Sequence, residues 1–161
     1  MMNKQPDNHQ MLTVYNSYFT EFMTERLNQR MINLLIFAQV VLSSAIMADV
    51  AHTFVAGLFI AVISAFLLVY KPGEKAGNAR IQSRRYERLI HRINAADTCD
   101  VPALLIEYAE FDSEISGSLI RPAYIRAMVA CGKKNDEIQM EISRLTRTER
   151  LVAWFSGGIP V

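Results

Sequence analysis

The chain has 161 residues, enough for one compact domain, and its formal net charge of +1 leaves no basic excess of the kind nucleic-acid binders carry. Apolar residues make up 51%, a little above the globular norm, and their placement decides more than their total.

In chain order, the first element lies in residues 1–30. Leu12, Tyr15, Phe19, Phe22, Met23 and Leu27 recur at spacings of three and four, which predicts an aromatic-rich amphipathic helix. It runs into the first apolar run, packed on downstream helices or lying on a membrane surface. Met31–Ala48 and Thr53–Tyr70 carry no charge at all. As helices each spans ~27 Å, close to the ~30 Å hydrocarbon core of a bilayer. Helices apolar on every side need surroundings all round, and the remaining amphipathic helices are too few to enclose two of them. Residues 31–70 therefore read as a transmembrane hairpin. A cleavable signal is not expected, because a long polar stretch precedes the first apolar run.

Arg26 and Arg30 precede the first run. Lys71, Lys75, Arg80, Arg84, Arg85, Arg88 and Arg92 come after the second, and the connection Asp49-Val50-Ala51-His52 holds no Lys or Arg. Cationic flanks stay in the cytoplasm, so both termini are expected there. Asp49 and His52 then mark the turn at the far interface; the sharper reading is a pH-sensitive or ion-attracting pair at a pore mouth. Within the hairpin, Asn33, Gln39, Ser43 and Ser44 share one arc of the first helix, and Thr53, Gly57, Ala61 and Ser64 share one of the second. Gly57 and Ala61 form a small-xxx-small pair that permits close helix approach. These residues are candidates for the packing seam of one hairpin, or for a seam between copies in which Gln39 and Asn33 line a polar path.

Residues 71–161 form the expected cytoplasmic helical region. Lys71-Pro72-Gly73 breaks the chain, and Glu74–Ala96 reads as a helix with Ile81, Leu89, Ile90 and Ile93 opposite its arginines. Arg84, Arg85, Arg88 and Arg92 are candidates for contact with anionic headgroups, each worth ~1 kcal/mol near the surface, or for coupling to a signal such as a phosphorylated ligand. Asp100 can cap a helix beginning near Pro102, holding Leu104, Leu105, Tyr108 and Ile115 and ending at Gly117. Six acids between Asp97 and Glu114, with no base among them, are expected to pair with the preceding basic helix, within one chain or between chains. Glu107, Glu110 and Glu114 have spacing conceivable for a metal, but without a histidine they read as a solvated face. Pro122 opens a short helix reaching Cys131-Gly132. Asn135 or Asp136 caps a last helix running to about Phe155.

Cys99 and Cys131 lack metal-ligand spacing and read as small hydrophobes. The three histidines, His9, His52 and His91, fall in three different regions. No phosphate loop, nucleophile elbow, H-E-x-x-H or C-x-x-C is present, so no enzyme, no cofactor and no metal is expected.

The assembled layout resembles the SLATT family of small bacterial proteins with two transmembrane helices. KAGNARIQSRRYERLIHRI (75–93) is similar to that family's post-membrane helix, and RPAYIRAMVACGKKNDE (121–137) to its proline-led helix and Asn-containing turn. The resemblance implies an all-α protein of the bacterial inner membrane: an N-terminal amphipathic helix, a two-helix transmembrane hairpin and a C-terminal cytoplasmic helical region. It implies a pore-forming, membrane-disrupting homo-oligomer acting in anti-phage or other conflict systems. The bilayer and a sensor or nucleotide-signalling protein are the partners it implies. The alternative is a non-conducting membrane adaptor, for instance a superinfection-exclusion protein.

Overall fold

The computed structural model describes residues 7–47, 53–95 and 100–159; Asp49, His52 and Cys99 lie outside them. Every regular element among the described residues is a helix: α1 (Asn8–Met47), α2 (Thr53–Tyr70), α3 (Pro72–Asn94), α4 (Val101–Ala109), α5 (Gly117–Ala130), α6 (Asn135–Ser143) and α7 (Arg147–Phe155).

The amphipathic N-terminal segment and the first apolar run are one helix of 40 residues, ~60 Å long. No proline or glycine interrupts it. Its partner is α2 followed by α3. The two are separated by a single residue, Lys71, whose backbone is left-handed (φ 47°). Pro72 disfavours the right-handed conformation at Lys71 and, lacking an N–H, fits the first position of α3. Contacts fall in one antiparallel register along α1. Gln39 meets Ser64 at 2.9 Å, Ile32 lies beside Gly73, Glu25 pairs with Arg80 at 3.4 Å, and Val14 shares a core cluster with Leu89. A Cβ at Gly73 would stand 3.5 Å from Ile32, so the glycine sits where the helices pass closely.

The lower part of this pair is the spine of a helical bundle. Buried Ala76, Ala79 and Ser83 give α3 a small-residue face toward its neighbours, and α5 packs on another side of α1. Three core clusters result. Val14, Leu89, Ile90 and Val101 form one, Met23, Leu119, Ala123 and Ala153 the second, and Ile125, Met128, Ile138 and Leu145 the third.

Several boundaries differ from expectation. Asp100 does cap α4, accepting from the Ala103 N–H at 3.2 Å. However, α4 stops at Ala109, and Gly117 opens α5 rather than closing α4. Ile115 thus lies in the connection. Pro122 is inside α5: it forgoes one backbone bond near the helix start, and its fully buried ring packs in the core. The residue preceding α6 is Lys134, with no side-chain cap from Asn135 or Asp136. The expected last helix is two, because Thr146 and Glu149 form a capping box that starts α7 afresh. Thr146 Oγ1 accepts from the Glu149 N–H at 3.2 Å, and Glu149 Oε2 accepts from the Thr146 N–H at 2.8 Å. The Thr146 N–H and hydroxyl, both donating to Glu149 Oε2 at 2.8 Å, hold the Glu149 carboxyl below its usual range.

Candidate functional site

The two apolar helices, Met31–Met47 of α1 and all of α2, pack on one another and on little else. Leu35, Ala38, Gln39 and Leu42 are half-buried on one side, and Ala56, Ile60, Ile63 and Leu67 on the other. The remaining faces are mostly apolar and open. Phe37 is 66% exposed, Phe54 84%, Leu68 76% and Val69 82%, and α2 buries no residue completely. Both helices are long and apolar enough to cross a membrane.

The polar candidates separate here. Gln39 Nε2 donates to Ser64 Oγ at 2.9 Å, and Ser64 Oγ donates to the Ile60 carbonyl at 2.8 Å. This is a closed chain of bonds inside one helix pair. Asn33 accepts from Gln29 on its own helix at 3.3 Å, Ser44 donates to the Val40 carbonyl at 2.9 Å, and Ser43 is exposed. Thr53 is exposed at the start of α2. Gly57 is half-buried, with no atom within 4 Å of where its Cβ would be, and Ala61 is exposed. The small-residue pair is therefore not a close contact of this helix pair; Ala56, Ile60, Ile63 and Leu67 supply that seam.

Below the apolar surface, α3 carries the arginine candidates. The antiparallel register places Arg84, Arg85, Arg88 and Arg92 beside the N-terminal half of α1. Arg84 stands ~21 Å along the helix axis from Tyr70, at 1.5 Å per residue. Arg84, Arg88 and Arg92 are exposed there and Arg85 is half-buried, along one flank of the bundle. Arg88 Nε donates to the Arg84 carbonyl, and Arg85 donates to Gln82 at 3.1 Å and covers the Phe111 ring at 5.4 Å. Arg85, Arg88 and Arg92 line a groove of about 700 Å³ closed on its other side by Glu107, Tyr108 and Phe111. The acidic segment thus does lie against the basic helix of the same chain.

The contact is held mainly by other residues. Lys75 Nζ meets Glu114 at 3.1 Å, Tyr86 Oη donates to Asp112 Oδ1 at 2.9 Å, and Gln82 Nε2 donates to the Tyr108 carbonyl at 2.8 Å. Ser113 N–H donates to Glu21 Oε1 at 2.8 Å, tying the same segment to α1. Burial raises the Asp112 and Glu21 carboxyls above their usual range, and Glu21 Oε2 has no partner. Sequence reading missed this polar joint. Its signal was there: Thr20, Thr24 and Asn28 recur every four residues and lie on a buried face beside Glu21.

A larger groove, of about 1040 Å³, lies beside the joint and the end of α2, between Phe66, Tyr70, Lys75, Arg85, Phe111 and Asp112. Among the described residues no three His, Cys, Asp or Glu side chains gather as a metal site. Glu107 and Glu110 are exposed, and Glu114 is taken by Lys75.

No family model, curated protein or solved structure matches this chain. The resemblance to the SLATT family accordingly rests on the hydropathy layout and on residues 75–93 and 121–137.

Proposed function

We infer that the chain is an oligomeric membrane protein in which a cytoplasmic bundle controls a conducting path formed between copies of the apolar helix pair. One observation carries the reading. The outward faces of the pair are apolar but for Asn33, Ser43, Ser44, Thr53 and Ser64, while α1 continues from them without a break into the core of a charged bundle. Burying a Leu or Phe side chain is worth ~1.5–3 kcal/mol, so a surface like this one is costly in water and inexpensive in lipid. The cationic flanks orient the bundle toward the cytoplasm. One helix pair cannot enclose a channel, so conduction requires several copies, and the open Gly57–Ala61 face suits close helix approach between them. The resemblance to SLATT proteins supplies the biological setting: an effector of the bacterial inner membrane in a conflict system, triggered through its cytoplasmic helices by a sensor or nucleotide-signalling partner.

A second reading, a non-conducting anchor or adaptor, is favoured by the Gln39–Ser64 bond. That bond engages both side chains inside one chain, as packing within a single hairpin requires.

Membrane potential in bacteria during induced expression separates the two. The effector reading expects depolarisation by the wild type and suppression by Gln39→Leu at equal membrane yield. Leu35, Ala38 and Leu42 still face Ala56, Ile60, Ile63 and Leu67 in that variant, so the helix pair should persist. Wild-type protein that reaches the membrane and leaves the potential intact favours the adaptor.

A further inference from the structure

Two arginines outside α3 have no counter-charge. Arg126 of α5 is half-buried, and its Nε and Nη1 are fully buried without a hydrogen-bond partner. Its guanidinium lies 5.2 Å from the Phe19 ring and 5.6 Å from the Phe22 ring, while Arg26 covers Phe22 at 4.4 Å. The two cations converge: a Cβ at Gly157 would stand 3.6 Å from Arg126 Nη1 and 3.7 Å from Arg26 Nη1. Arg30 reaches the same end of the bundle, donating to the Phe155 carbonyl at 2.8 Å. None of the three takes part in an ion pair among the described residues, and Glu25, the acid beside Arg26 in sequence, is taken by Arg80. Burial, and then the charge of Arg26, push the Arg126 guanidinium below its ordinary value.

A half-buried guanidinium with two N–H groups left without partners, facing a second cation, gains from an anion that joins them. Guanidinium groups bind phosphate through paired N–H donors, and the two converge beside Gly157, whose φ of 118° favours glycine. We propose that Arg26 and Arg126, with Gly157 between them, form a phosphate-binding site. Its position indicates the source. Arg26 precedes Met31 by five residues, ~7.5 Å of helix, and a headgroup layer is ~5–8 Å deep. The phosphate is that of an anionic lipid in the cytoplasmic leaflet. The choice of source rests on the membrane reading above; the arginine pair itself does not.

The test is thermal unfolding of the full chain in uncharged detergent at constant ionic strength, with phosphatidylglycerol, phosphatidylcholine or inorganic phosphate added. Wild type, Arg126→Met and Arg26→Gln are compared. Methionine keeps the packing on Phe19 and Phe22 without the charge, and the exposed Arg26 side chain can be changed without disturbing the core. The site predicts a Tm rise with phosphatidylglycerol and not with phosphatidylcholine, and binding weakened roughly tenfold or more in either variant. A rise with inorganic phosphate alone, lost in both variants, keeps the site and overturns its lipid source. No rise with either probe, or an equal rise in the variants, overturns the site. A chain recovered in the soluble fraction after carbonate extraction would defeat the membrane reading, while its inorganic phosphate titration would still decide on the arginine pair.

Discussion

Tyr86→Ala lowers the stability of the purified chain by about 3–5 kcal/mol in denaturant titrations followed by far-ultraviolet circular dichroism. Tyr86 is fully buried in α3, its ring meets Tyr108 edge-on at 5.7 Å, and its hydroxyl donates to Asp112. Truncation opens a cavity among α1, α3 and the segment after α4, and removes a donor from a carboxylate whose burial already disfavours its charge. Tyr86→Phe keeps the ring and loses the hydroxyl, for a cost of about 1–3 kcal/mol. Equal effects of the two substitutions would mean that the ring contributes little, and the account of this joint would be wrong.

On the proposed conducting role, Gln29→Pro is expected to abolish depolarisation while the protein still fractionates with membranes. Gln29 is exposed, two residues before the apolar run, so its side chain holds nothing in the core. Proline there removes the bond to the Glu25 carbonyl and clashes with it, at a cost of about 3 kcal/mol or more, and kinks α1 between bundle and apolar pair. If α1 carries a change in the bundle to the membrane helices, this kink interrupts it. Gln29→Ala, which preserves the helix, should behave as wild type. Full depolarisation by the proline variant would show that an unbroken α1 is not needed for the output.

The helical class and the two apolar runs were legible because hydropathy is a property of long segments. Eighteen uncharged residues admit few alternatives, and Asp100 followed by Pro102 is a helix start with a specific mechanism. What sequence reading missed depends on which side of a helix meets a neighbour. An apolar stripe on α1 picks out Phe19 and Phe22 but passes over Glu21, Thr24 and Asn28, which the bundle buries, Glu21 under the segment after α4. Gly117 reads as a stop, since glycine serves either end of a helix when no partner is in view. The Thr146–Glu149 box is visible as T-R-T-E but lies inside an otherwise helical pattern. Gly57 and Ala61 match a packing motif, yet the seam of the pair uses their neighbours.

The central claim is that residues 31–70 cross a bilayer twice and leave the bundle inside the cell. Its most direct test is cysteine labelling in intact bacteria, in a background with Cys99→Ser and Cys131→Ser. A membrane-impermeant maleimide is expected to label Asp49→Cys in intact cells. Lys133→Cys, at an exposed position of the bundle, is expected to be labelled only after the cells are opened. Labelling of Lys133→Cys in intact cells, or protection of both positions until lysis, would contradict the claim.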